Sequence, residues 1–295
     1  MVTGKQAALF VPSGTMSNQL AIATQTRPGD DVIVGEGAHL ALYEAGAGAA
    51  LSGVQFSAVG QGGMYSPDDM TAAVHPRAHW TLRTSLVALE NTHNRAGGRV
   101  WPHGQTRAVA ERARALGLAT HLDGARVWNA SAASGIGVAE LCAPFDTVSV
   151  CFSKGLGAPV GSAFCATSAL VDEARRLRKR WGGGMRQVGV IAAAALHALT
   201  HHRERLGEDH ANAWVLADRL SGVRGVRVDR AAVETNIVNI DVDVPAETVS
   251  RAARQAGVLI HATGPRRLRA VTHLDVTRAD VEAAAVILST ALEAR

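Results

Sequence analysis

Short apolar runs alternate with stretches of helical period through the first two thirds of the chain, the pattern of a layered α/β domain. Residues 7–11, 31–34, 86–90, 119–123, 147–152 and 162–166 read as strands, most of them apolar throughout, as a sheet covered on both faces requires. Between and after them, 15–25, 105–116, 168–180 and the Ala-rich 187–203 read as helices. From Gly207 the pattern changes to a helix at 211–221, alternating strands at 226–229, 236–242, 258–261 and 268–272, and helices at 246–255 and 278–294. The chain is therefore expected to hold a large domain over residues 1–206 and a small α+β domain over 207–295. It carries no internal repeat.

Composition narrows the class. Of 295 residues 47% are hydrophobic and 19% charged, an ordinary globular balance that excludes disorder and low complexity. The Ala-rich run without a formal charge at 187–200 is about 14 residues and too short to cross a bilayer of about 30 Å. The opening MVTGKQAALFVPSG has no apolar signal core, so a cytoplasmic location is expected. Cys142, Cys151 and Cys165 lie outside C-x-x-C spacing and read as buried thiols rather than as a disulfide framework or a metal site. The net charge of +4 could suggest nucleic acid, but the one basic cluster, 175–180, has Glu173 beside it and no interleaved aromatics. It reads as a solvated helix face, and neither nucleic acid nor membrane is expected as a partner.

Lysine is scarce enough to be informative. Lys5 lies near the first residue and Lys179 in the basic helix, which leaves Lys154 in VSVCFSKGLG. At the end of a buried strand, beside Ser153 and two glycines, its amine is expected to be partly desolvated with a lowered pKa, the condition for Schiff-base formation. A strand-end lysine that snorkels to water is the alternative. An earlier strand ends in Asp123-Gly124-Ala125-Arg126. Ligands of open α/β sheets gather beyond the carboxyl ends of strands, so Asp123 and Lys154 are expected to face one crevice. Pyridoxal phosphate needs this pair, a lysine for its aldehyde and a carboxylate to keep its ring nitrogen protonated. Alternatively, Asp123 is structural and paired with Arg126. A third element, LFVPSGTMSN, is a strand, a small-residue turn and a helix start whose free N–H groups suit a phosphate. Ser13 or Thr15 could equally cap the helix. A nucleotide site is not expected: the turn lacks the Gly-Lys-Ser/Thr ending, and Val160 stands where a third glycine belongs after Gly155 and Gly157.

With these residues in place, the chain resembles the low-specificity L-threonine aldolases of the β-eliminating lyase group, in the aminotransferase-like fold type I class of pyridoxal-phosphate enzymes. The resemblance spans LFVPSGTMSN, EGAH with YEAG, LENTHNRAGG, HLDGARVWNA, SKGLGAPVGS, GGGMRQ, ETNIV and VTHLDV, in the family's order. It implies a large α/β domain with a mostly parallel sheet and a small C-terminal α+β domain. It also implies that Lys154 holds the cofactor, Asp123 partners its ring nitrogen, and Ser13, Gly14 and Thr15 bind its phosphate. His39 matches a histidine that stacks on the ring. His93 matches one near the substrate hydroxyl, and Arg126 and Arg269 match arginines around the cofactor and the substrate carboxylate, where a two-pronged guanidinium contact is worth about 1.5–3 kcal/mol. Arg186 carries no assigned role.

The activity so implied is cleavage of a β-hydroxy-α-amino acid such as threonine into glycine and an aldehyde, with His39, His93 or a water they orient taking the hydroxyl proton. A homodimer or homotetramer is expected, since fold type I sites are usually completed across an interface. The resemblance also implies several tens of residues ahead of the position of Met1, and so a weakened substrate contact and interface where they are lacking. The rival functions are another pyridoxal-phosphate amino-acid lyase or racemase, and a catalytically silent homologue that only binds the cofactor.

Overall fold

The computed structural model describes residues 2–293. The chain divides into two units, Met1–Ala96 with Val100–Arg203, and Gly97–Arg99 with Glu204–Arg295.

The first unit runs β1 (Ala7–Val11), α1 (Gly14–Ala23), β2 (Asp30–Gly35), α2 (His39–Leu42), a π-helical turn (Gly48–Ser52), β3 (Gln55–Val59), α3 (Pro67–Ala72) and β4 (Arg83–Glu90). It continues through α4 (His103–Ala115), β5 (Ala119–Gly124), α5 (Val127–Ser134), α6 (Val138–Cys142), β6 (Thr147–Cys151), β7 (Ser162–Ala166), α7 (Ser168–Arg180) and α8 (Gly189–His201). Its seven strands lie in the order β1-β7-β6-β5-β4-β2-β3. The strands from β3 to β6 pair in parallel, while β7 is antiparallel to both β6 and β1. Two reversals restore the direction, so β1 points the same way as β6. The carboxyl ends of β1, β2, β4, β5 and β6 therefore share one edge of the sheet. The strands are apolar because helices cover them: Val32, Val34, Leu86 and Ala88 pack with Ile22 of α1, and Leu9, Val11 and Phe164 pack with Leu20 of α1 and Val171 of α7.

The expected strands of this unit all form, and two of its connecting segments, between β2 and β4 and between β5 and β6, hold more structure than periodicity revealed. β3 is an edge strand, half-exposed and without clean alternation. α5 and α6 are short turns of helix, and α3 is announced only by its ends, where Ser66 and Asp69 form a reciprocal capping box around Pro67. The three cysteines are buried thiols. On α7, Arg175, Arg176, Lys179 and Arg180 face solvent as expected. Arg178 instead turns inward, and its Nη1 donates to the Phe10 carbonyl at 2.7 Å.

The second unit comprises α9 (Leu206–Leu220), β8 (Val226–Arg227), a 3-10 turn (Arg230–Ala232), β9 (Ile237–Val242), α10 (Ala246–Gln255), β10 (His261–Gly264), β11 (Arg267–Val271) and α11 (Arg278–Glu293). Its four strands form an antiparallel sheet in the order β10-β11-β9-β8, with Leu216, Val238, Ile240, Leu268 and Leu288 in its core. Two expected strands shift. The one expected at 258–261 starts only at His261, because the helix end folds back first: Gly257 takes φ +90° and Val258 N–H donates to the Ala253 carbonyl at 2.9 Å. The one expected at 226–229 stops at Arg227, because Asp229 caps the 3-10 turn by accepting from Ala231 N–H at 3.1 Å. The last helix was expected to reach residue 294, which lies outside the described residues. No helix among the described residues is long and apolar enough to cross a membrane.

Candidate active site

Asp123 sits at the carboxyl end of β5, 2% exposed, opposite Ser149 of β6 and Glu90 of β4. The glycine after it is dictated by space, since a Cβ on Gly124 would lie 2.7 Å from the Ser149 carbonyl oxygen. Asp123 Oδ2 accepts from Asn18 Nδ2 at 2.8 Å, and Oδ1 accepts from the Ala125 N–H at 3.1 Å. Among the described residues no lysine or arginine pairs with it. The expected alternative partner, Arg126, begins α5 and sends Nη1 to Asn94 Oδ1 at 3.2 Å. A buried carboxylate whose hydrogen bonds come from amide hydrogens alone has no fixed cation beside it and is still able to receive one.

Behind Asp123 the polar groups have a fixed direction. Asn18 Oδ1 faces His121 Nε2 at 3.1 Å, and His121 Nδ1 faces Thr147 Oγ1 at 2.9 Å. His121 is fully buried, and burial pulls its pKa down to about 4, so the ring is neutral. With the Asn18 amide nitrogen committed to carboxylates, Nε2 of His121 must be the donor and Nδ1 the acceptor.

His39 opens α2, just beyond β2, and is half-buried. Its backbone N–H donates to Glu90 Oε2 at 2.7 Å, and its Nδ1 lies 3.0 Å from Glu44 Oε1. The hydrogen bond to Glu44 raises the His39 pKa, with Asp123 and Glu90 adding to it and burial opposing. Glu44 itself is 3% exposed, and burial pushes its carboxyl up. One ligand-capable atom each of His39, Glu44 and Asp123 lies within 4.8 Å of the other two. His93, after β4, is 1% exposed. Its Nδ1 accepts from the Ala96 N–H at 3.2 Å, which leaves the ring proton on Nε2. That N–H has no hydrogen-bond acceptor among the described residues, Glu90 Oε2 standing 3.8 Å away.

Lys154 is half-buried in the turn after β6, where the Gly157 N–H closes onto its carbonyl at 2.8 Å. The expected phosphate turn stands at the end of β1. Ser13 is extended and caps α1 through Met16 N–H at 3.1 Å, as the plainer reading had it, while Gly14 and Thr15 begin the helix with outward first-turn N–H groups. Lys154, Asp123, the Ser13-Gly14-Thr15 turn, His39, His93 and Arg126 thus all belong to the carboxyl edge of the first unit's sheet. Arg269 lies on β11 of the second unit, half-buried, opposite Asn239 and His261. Sequence reasoning missed Asn18, Glu44, Glu90 and His121. Glu44 and Glu90 lay inside the quoted YEAG and LENTHN segments, where an acidic residue beside a candidate histidine was a usable signal.

The family described as beta-eliminating lyase matches residues 1–243. The chain is 40% identical over 287 residues to low-specificity L-threonine aldolase 1 of Arabidopsis thaliana, covering 94% of this chain and 80% of that protein. It is 38% identical over 280 residues to the low specificity L-threonine aldolase of Escherichia coli strain K12, covering 94% and 82%. Among solved structures, a putative L-allo-threonine aldolase from Listeria monocytogenes superposes with a TM-score of 0.82 at 21% identity, covering 99% of this chain and 83% of that one. The threonine aldolase of Leishmania major superposes with a TM-score of 0.83 at 20% identity, covering 97% and 84%. These two likenesses establish the shared fold.

Proposed function

The chain belongs to the β-eliminating lyase family, and we propose that it is a pyridoxal-phosphate-dependent aldehyde-lyase that splits threonine, allo-threonine or a related β-hydroxy-α-amino acid into glycine and an aldehyde. The observation that carries this reading is Asp123, a buried carboxylate at a strand end with amide donors and no fixed cation among the described residues. The residues fit the cofactor: the carboxylate for a ring nitrogen, an amine one strand away at Lys154, and a helix start at Gly14 for a phosphate. When bound, pyridoxal phosphate supplies an electron sink for the pair released as the Cα–Cβ bond breaks.

The side chains then divide the work. Lys154 anchors the cofactor through its amine, and Asp123 holds a proton on the ring nitrogen. Gly14 and Thr15 N–H groups and the Thr15 hydroxyl bind phosphate, with Ser13 setting the turn by its cap. His39, at the start of α2, would lie along the ring. By their place in the family's motifs, Arg126 would serve the substrate carboxylate and His93 its hydroxyl. For Arg269 the carboxylate role rests on its VTHLDV-flanking motif alone. The two histidines favour an aldolase over a lyase or racemase that needs no β-hydroxyl chemistry. Exposed Leu42 and Tyr43, directly after His39, support a homodimer or homotetramer in which a second copy covers them. Three free buried thiols support a cytoplasmic location.

The test is direct. Protein saturated with pyridoxal phosphate is incubated with L-threonine while glycine and acetaldehyde are measured, and a second sample is reduced with borohydride and mapped by mass spectrometry. Equimolar products and a pyridoxyl group on Lys154 are expected. Absence of both products, or a label confined to Lys5 or Lys179, would overturn the reading.

A further inference from the structure

Two imidazoles stand at the candidate site, and the groups around them give each a different proton. His93 has its Nδ1 lone pair occupied by the Ala96 N–H at 3.2 Å, so it offers a hydrogen at Nε2 and cannot receive one. His39 is arranged the other way round. Its Nδ1 is 3.0 Å from Glu44 Oε1, a carboxylate oxygen that can only accept, so the ring proton belongs on Nδ1 and the lone pair on Nε2.

Glu44 is held for this task from behind. Asn18 Nδ2 donates to Oε1 at 2.8 Å and Gln19 Nε2 donates to Oε2 at 2.6 Å. Its neighbour Asp123 receives the other Asn18 hydrogen. Asn18 cannot turn its amide over, because its oxygen is taken by His121 Nε2–H, whose Nδ1 faces the Thr147 hydroxyl, which in turn receives Gln25 Nε2–H at 2.8 Å. From Gln25 to the two carboxylates this direction satisfies the side-chain contacts in turn, the Thr147 carbonyl 3.2 Å from His121 Nδ1 standing outside the chain. Both carboxylates lie at its receiving end, each supplied with donors.

We propose that Glu44 is a positioning residue that acts through His39: by taking Nδ1–H it fixes Nε2 as the proton acceptor of the site, while the Asn18 amide it shares ties it to Asp123. The proposal rests on the aldolase reading. Nε2 of His39 receives the β-hydroxyl proton as the Cα–Cβ bond breaks and the aldehyde C=O forms. The electron pair of that bond leaves with the glycine half, which later takes a proton at Cα, so that threonine gives glycine and acetaldehyde with nothing gained or lost. The His93 Nε2–H stays in place as a donor to the same oxygen. Glu44, Asp123 and Glu90 are the acidic groups that face His39, and the Tyr43 ring lies 5.6 Å from it.

The first test needs no variant. In the full-length, cofactor-loaded protein labelled with 15N-histidine, long-range 15N–1H spectra read the tautomer of each ring, the His39 signals being identified by their loss in His39→Asn. A neutral His39 protonated on Nδ1 is expected, and one protonated on Nε2 would overturn the proposal. In Glu44→Gln the His39 titration midpoint is expected to fall by about one pH unit, because a carboxylate that favours the imidazolium is gone. The acid limb of kcat/KM should move down with it, and the plateau of kcat should drop about 10–100-fold, the usual cost of losing a group that orients another. In a His39→Asn background Glu44→Gln should cost less than about threefold further. An unmoved His39 midpoint, or an equal cost in both backgrounds, would make Glu44 merely structural. If the wild-type protein shows the expected tautomer but releases no glycine from threonine, the aldolase reading fails while the placement of Glu44 behind His39 stands.

Discussion

Gly63 is the wall behind His93: with φ +85° at the glycine, a Cβ built there would lie 2.2 Å from Cδ2 and 2.3 Å from Nε2 of the ring. A side chain at this position needs both a disfavoured backbone and space the imidazole already fills. Gly63→Ala is therefore expected to lose about 1–3 kcal/mol of stability and to push His93 off its Ala96 contact. Thermal unfolding together with threonine turnover checks this. A variant matching the parent in both would show that the ring can move aside freely.

Asp123→Asn removes an anion while keeping the shape. The Asn18 and Ala125 hydrogens both need acceptors, and an asparagine can satisfy only one of them without turning its own NH2 against the other. Cofactor should still bind, more weakly, and cleavage should fall on the order of 100-fold. Absorbance titration and a glycine-release assay measure the two effects, and near-parental turnover would remove the proposed role.

Acid should loosen the fold through His121. Its folded pKa is near 4 against an ordinary 6.5. Below pH 6.5 the unfolded chain takes up a proton that the folded chain declines until about pH 4, so the stability contributed by the neutral ring is complete above pH 6.5 and is lost as pH falls toward 4. His210, also pulled down to about 4 by burial, acts in the same direction. Melting temperatures followed from neutral pH downward should fall across this window, and His121→Gln, which can still donate to Asn18, should flatten part of the slope. An unchanged slope in that variant would contradict the assignment.

The cysteines should be slow to react. Burial pushes the Cys142 thiol up to about 12 and the Cys165 thiol up to about 11, so neither carries thiolate at neutral pH. Treating the native protein with a disulfide reagent should label these two far more slowly than the same chain in denaturant. Equal rates would mean that the sheet edge around them opens readily.

Strands were legible where burial on both faces made them largely apolar, as in β4 and β7, and the Asp123-Gly124 and Lys154-Gly155 pairs stood out because they close strand segments. What stayed hidden was local structure too short for a period to register, such as α2 and α6, and every contact set by tertiary approach. Asn18 lies 105 positions from Asp123, and its amide looks like any polar group on a helix until the fold aims it. Glu44 is similar: an acid in a small-residue segment reads as solvated, and only its three donors explain why it is inside.

The pairing of β1 with β7 bears on how the protein is made. Ala7 lies opposite Ala166 and Val11 opposite Ser162, so the first strand must wait while roughly 150 further residues leave the ribosome before its partner exists. The parallel strands from β2 to β6 can associate earlier, bringing Asp123 into place without the Ser13-Gly14-Thr15 turn. Competence to hold a phosphate thus arrives last, with closure of the longest loop in the sheet. Until then, an apolar strand and the helix after it, buried all round in the finished fold, remain unclaimed surface for chaperones or for a neighbouring nascent chain.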